Sequence, residues 1–155
     1  RITELINKTN QFNLTTKRYS FSEIEEISKS AKHISLYGKL KDKFGDNGLV
    51  SIIIGSIEGY ILNIELWLMS CRVIKRDMEF AMFDKLVALC LQRGIKKIVG
   101  YYYKTSKNSM VSTHYENLGF KLVSEDENNN SIWKYKVKEK YHITNKVIEV
   151  YNGKD

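Results

Sequence analysis

Within this chain of 155 residues, two cysteines, three histidines and the charged run that follows Ser70 hold most of the side chains able to do chemistry. Cys71 is followed by Arg72, Lys75 and Arg76, and positive charge at the mouth of a helix turns a thiol into a nucleophile. A competing reading makes Cys71 a small buried residue at a strand end, its arginine neighbours paired with Asp77 or Glu79. Cys90 sits among Val87 and Leu91 on an apolar helical face, which marks it as core. His33, His114 and His142 lack HxxxH or HExxH spacing and neither cysteine has a CxxC partner, so no metal site and no disulfide framework is expected. His33 and His114 could each serve as a base. Both are expected at the surface, His33 on the polar side of a strand and His114 beside Tyr115 in a helix.

The elements that must hold these residues follow from periodicity. Ile2, Leu5 and Ile6 make a helical stripe, and Ser22 with Glu25 forms a capping box that predicts a helix over 22–31. From Ile34 the apolar period becomes two, predicting a strand. Asn47-Gly48 supplies a hairpin turn, and 49–57 and 60–69 read as two further antiparallel strands. Apolar positions from Phe80 to Leu91 recur at three and four, giving a helix that stops at Gly94, and 97–103 then returns as a parallel strand. An amphipathic helix over 108–118, with Asn108 as its cap, and a hairpin of 120–123 with 132–137 complete a domain spanning 1–141. Residues 142–155 read as a tail or edge strand.

Composition narrows the function classes. The 25 Lys+Arg against 18 Asp+Glu give +7, and 43% hydrophobic residues without proline exclude disordered and fibrous classes. The most apolar stretch, 48–69, is interrupted by Glu58, Asn63 and Glu65 and cannot span a bilayer as a helix. With no membrane segment and no apolar leader, the cytoplasm is the expected location, and the absence of an initiator Met suggests a fragment of a longer chain. Lys96-Lys97, Tyr101 to Lys104 and Lys134 to Lys138 interleave basic and aromatic residues as nucleic-acid surfaces do. Strand alternation instead puts those lysines on a solvated face, and only five of the 25 cations are Arg, so no nucleic-acid partner is expected.

Taken in order, the elements describe an α/β domain with a mixed, mostly antiparallel sheet flanked by helices. Its ligand is expected where two parallel strands diverge above a helix N-terminus, at the junction holding Met69, Ser70, Arg72, Arg76 and Glu79. There Arg76-Asp77-Met78-Glu79-Phe80-Ala81 resembles the R-x-x-G-x-A signature of GNAT-type acyltransferases. Asn108 with Tyr115-Glu116-Asn117-Leu118-Gly119-Phe120 resembles their closing N-x6-Y-E-x-L-G-F pattern. The resemblance implies a GNAT-like fold with a V-shaped opening between strands 60–69 and 97–103. It also implies helix amides cradling a pyrophosphate, Asn108 on a pantetheine arm, and Tyr115 protonating a departing thiolate. Glu79 departs from the pattern, because it stands where a glycine lets amides approach phosphate, and a carboxylate there opposes an anion such as CoA.

Three further strings, 8–16 (Lys8 to Thr16), 44–48 (Phe44 to Gly48) and 67–73 (Trp67 to Val73), resemble the C-terminal region of FkbH-like proteins. These join a haloacid-dehalogenase-type phosphatase domain to a GNAT-like domain, and several load a glyceryl unit onto an acyl carrier protein. The resemblance implies that this chain is the second half alone, with the phosphatase domain and the carrier as partners. Its cofactor would be the carrier's phosphopantetheine arm, with CoA as the alternative. Cys71 would hold the acyl unit as a thioester. Two other functions stay open: a CoA-dependent acetyltransferase, and a domain that only docks the carrier.

Overall fold

A computed structural model describes residues 1–152. Its centre is an antiparallel meander of β1 (His33–Asp42), β2 (Gly45–Glu58) and β3 (Ile61–Met69). β2 is apolar on both faces because both are covered: Ile53 faces the larger core, while Ile52 and Ile54 face the smaller one. The first hairpin turns at Lys43-Phe44, with Asp42 opposite Gly45, and not at Asn47-Gly48 as predicted. The positive φ that Gly48 tolerates (66°) is used instead in a bulge between the Leu49 and Asp46 pairs, where Asp46 Oδ1 accepts from the Gly48 amide at 2.7 Å.

The smaller core lies under α1 (Ile2–Lys8) and α2 (Phe21–Lys29), which bury Leu5, Ile6 and Ile24. The capping box of α2 is Ser20 with Glu23, two residues before the predicted pair: the Glu23 amide donates to Ser20 Oγ and the Ser20 amide to Glu23 Oε1. Both serines have a glutamate three residues on. The earlier one wins because it lengthens the helix and still turns Ile24 and Ile27 inward.

On the other face α3 (Met78–Gln92) buries Met82, Phe83, Leu86, Val87 and Cys90, and ends as predicted with Gly94 at φ 70°. The chain returns in β4 (Lys97–Tyr102), parallel to β3. The predicted helix over 108–118 is only a 3-10 turn (Ser109–Val111) and a single α-turn, α4 (His114–Asn117). Asn108 does not cap it, since its side chain is drawn into the interior. β5 (Lys121–Glu125) and β6 (Ser131–Lys136) close the six-stranded sheet in the order β1-β2-β3-β4-β6-β5. Beyond β6 no regular element forms among the described residues, and the chain folds back onto α3. There Asp84 accepts bonds from the Tyr141 hydroxyl, the Thr144 amide and hydroxyl, and the Asn145 amide. No helix among the described residues is long and apolar enough to cross a membrane.

Candidate functional site

The parallel pairing of β3 with β4 is short. Residues 61–64 pair with 97–100, after which the strands part, as the sequence predicts. The opening itself is closed, which corrects the expectation of a V-shaped cleft. Buried backbone amides and carbonyls on diverging strands need partners, and the chain supplies them from the segment between α1 and α2. The Leu14 amide donates to the Trp67 carbonyl (3.0 Å), the Met69 amide to the Phe12 carbonyl (2.9 Å), and the Tyr103 amide to the Leu14 carbonyl (2.8 Å). Asn108 Nδ2 donates to the Asn13 carbonyl (2.9 Å) and the Thr15 hydroxyl to the Glu65 carbonyl (2.7 Å). Phe12, Asn13 and Leu14 are all buried. This strap was not legible as such, because a single inserted bridge has no periodicity and Asn-Gln-Phe-Asn-Leu-Thr-Thr reads as a loop.

Behind the strap lies an aromatic cluster. The His114 ring meets Trp67 edge-on at 4.4 Å between centroids and Phe12 at 5.2 Å, and Tyr115 packs against Trp67 and Phe120. Gly100 makes this possible, since a Cβ there would lie 2.6 Å from the Tyr115 ring. His114 is therefore buried, against the expectation of a surface role, and burial pushes its pKa down to about 3. Burial drives the Tyr115 phenol the other way, upward. Among the described residues His114 Nε2, Tyr115 Oη and Trp67 Nε1 have no hydrogen-bond partner. The Asn108 side chain is fully engaged: Oδ1 accepts from the Thr105 amide, and Nδ2 donates to the Tyr103 carbonyl as well as to Asn13. His33 stays half-exposed beside the Ser30 hydroxyl.

The junction from β3 to α3 carries the remaining candidates. Met69 and Ser70 are buried at the strand end, whereas Cys71 and Arg72 are exposed in a 3-10 turn (Cys71–Val73). The buried reading of Cys71 is thus set aside. Arg72 folds back so that Nε donates to Ser70 Oγ. Arg76 pairs with Asp42 of β1, not with Asp77 or Glu79, and holds that carboxyl below its ordinary range. Cys90 is sealed in the core, its thiol pushed up to about 12 by burial. Glu79 occupies the first turn of α3, as expected, and burial together with Asp77 raises its carboxyl pKa. Lys75 (φ 65°) and Asp77 (φ 63°) adopt the left-handed conformation that glycine takes without cost. Among the described residues no group of three or more His, Cys, Asp or Glu is placed to hold a metal ion.

The chain matches no protein-family model and no curated protein. Solved structures do match. The ribosomal-protein-S18-alanine N-acetyltransferase from Escherichia coli aligns with a TM-score of 0.62 at 10% identity, over 91% of this chain and 90% of that one. A GNAT superfamily phosphinothricin acetyltransferase from Sinorhizobium meliloti, in complex with AcCoA, aligns at 0.62 and 14% identity over 89% and 82%. The PaiA N-acetyltransferase from Thermoplasma acidophilum, in complex with coenzyme A, aligns at 0.58 and 18% over 74% and 67%. The chain has the GNAT acetyltransferase fold, with a mixed, mostly antiparallel six-stranded sheet flanked by helices.

A CoA-type cofactor is what this fold implies, its neighbours holding CoA or AcCoA, and two features of this chain stand in the way of one. The interstrand opening holds residues 12–14, with their backbone bonds made on both sides. Glu79 places a carboxyl in the first turn of α3, where its charge opposes a pyrophosphate.

Proposed function

We propose that this is a carrier-directed acyl-handling domain of the FkbH-like type, which passes a three-carbon glyceryl unit to an acyl carrier protein, and not a CoA-dependent acetyltransferase. The observation that carries this reading is the strap: the cleft is filled from within the chain, while Cys71 stays exposed at the end of β3. A thiol there needs no cleft. Cys71 attacks the carbonyl of an activated acyl donor, a C–S bond forms, and the donor's leaving group departs with its electron pair. The thiol of the carrier's phosphopantetheine then attacks that thioester, its own C–S bond forms, and the Cys71–acyl bond breaks to return the thiol. Arg72, held on Ser70, keeps a cation beside the exposed residue. A haloacid-dehalogenase-type phosphatase domain of the same longer chain would supply the donor, and the excess of cations favours encounter with an acidic carrier. A second reading, a non-catalytic docking domain, is favoured by the complete burial of Tyr115.

Calorimetric titration with acetyl-CoA, apo carrier and phosphopantetheine-bearing carrier tests the proposal, followed by intact-mass analysis after exposure to an acyl-loaded carrier. The expected result is binding of the pantetheinylated carrier without CoA binding, and an acyl adduct that disappears in Cys71→Ser. Binding of CoA alone overturns the proposal. Carrier binding with no adduct, unchanged in Cys71→Ser, selects the docking reading.

A further inference from the structure

The lysines assigned from sequence to a solvated strand face lie on a stretch of sheet outside the cover of α1 and α2. On β4, Ile98 and Tyr102 turn into the larger core, so Lys97, Val99 and Tyr101 point to the opposite side. The Tyr103 ring, just past the strand end, stands 6.2 Å from that of Tyr101. On β6, Trp133 and Tyr135 turn inward and leave Ile132, Lys134 and Lys136 outward. Pairing sets these residues side by side: Lys97 lies across from Lys136, Tyr101 from Ile132, and Lys134 from Val99 on one side and Lys121 of β5 on the other. The helices α1 and α2 pack over β1, β2 and the end of β3 on this side, and no residue of β4, β5 or β6 enters that smaller core. The four lysines and Tyr103 are exposed, and none of these lysines is ion-paired among the described residues. Two carboxylates border the face: Glu65 is held by Lys17 at 2.8 Å, and Glu58 stands across from Ile61 at its rim.

We propose that this open sheet face binds single-stranded nucleic acid. Like charges directly opposed across strands destabilise a sheet, and a chain of phosphates laid over them relieves the repulsion between Lys97 and Lys136 and between Lys121 and Lys134. The lysines recur about 5 Å apart across strands and about 7 Å apart along β6, a track of cations for a polyanionic backbone. The tyrosines supply what a merely basic surface lacks, since every base has a face that stacks on an aromatic ring. Tyr101 is fixed on the sheet because its hydroxyl donates to Asn63 Oδ1 at 2.9 Å, and Tyr103 beside it is 46% exposed. Lysine serves phosphate as a compact point charge and does not read base edges in the bidentate manner of arginine, so the binding is tolerant of sequence. A sheet face presents no element to enter the groove of a duplex, which selects the single strand. An acidic protein would meet the same lysines but has no need of the paired tyrosines. The face does not include Cys71, and the inference does not rest on the function proposed above.

The test is fluorescence anisotropy of short fluorescein-labelled oligouridine and oligothymidine titrated with the full chain over a range of salt. Both should bind, and log K should fall against log salt with a slope of about −3, or about 0.7 for each of four neutralised phosphates. The Lys97→Gln/Lys136→Gln variant should make that slope shallower by about 1.4, whereas Lys29→Gln/Lys32→Gln, which removes equal charge near the end of α2, should leave it unchanged. Tyr103→Ala, at an exposed position that the core does not need, should weaken binding about fivefold or more with the slope kept, because it removes stacking and no charge. Tyr101→Phe keeps the ring and should bind as the parent does. Absence of saturable binding below about 100 μM at low salt overturns the proposal. So does unchanged affinity in Tyr103→Ala, which would reduce the effect to bare charge. Capture of apo carrier protein that Lys97→Gln/Lys136→Gln abolishes and oligouridine cannot displace also overturns it, and would make the occupant an acidic protein.

Discussion

His114 carries the clearest electrostatic consequence at the scale of single residues. It titrates near 6.5 when unfolded and near about 3 when buried, so the folded state refuses a proton that the unfolded chain accepts. The stability tied to its neutral form is complete above pH 6.5 and is lost as pH falls from there toward 3, by up to about 1.4 kcal/mol per pH unit. Urea unfolding at pH 7, 6 and 5 should show the parent losing about 2 kcal/mol more than His114→Phe across that span. Parallel curves would mean that His114 holds its proton through a partner. The residue was misplaced from sequence because its side was assigned on a continuous helix over 108–118. In a single turn such as α4, adjacent residues His114 and Tyr115 both turn inward. Cys71 was legible as a candidate from its charged neighbours, but whether it was exposed was not: strand ends are buried or open according to what packs on them.

Elements position these residues through a few close approaches. At Gly100, an added methyl would meet the Tyr115 ring 2.6 Å away, and that ring is held by Trp67, His114 and Phe120. At Gly38, the same methyl would meet the mobile ends of Met78 (2.5 Å) and Met82 (2.6 Å). Gly100→Ala should therefore cost about 2–3 kcal/mol in denaturant unfolding and Gly38→Ala less than about 1 kcal/mol, although the two close approaches are of the same size. Equal costs would mean that the Tyr115 ring yields as easily as a thioether. Strand and helix identities were legible because burial imposes periods of two and 3.6 on the sequence. The turn at Lys43-Phe44 and the capping box at Ser20 were each displaced from prediction by a few residues. In both places two local solutions fit the same residues, and packing selected one.

Across the whole molecule, the segment beyond β6 is fastened mainly at Asp84, which accepts from Tyr141, Thr144 and Asn145. Asp84→Ala should release it. Limited trypsinolysis should then cleave at Lys138, Lys140 and Lys146 many-fold faster while the sheet resists as before, and loss of resistance throughout would show that the segment supports the entire fold. Fold class, strand order up to the parallel return and the core face of α3 were all determined by the sequence alone. Each depends on the local period of apolar residues. The filling of the cleft by residues 12–14 and the sealing of Tyr115 were decided only by tertiary structure. Both depend on contacts between segments far apart in the chain. The need for partners on the diverging backbones of β3 and β4 selects the strap, and the missing Cβ at Gly100 admits the Tyr115 ring.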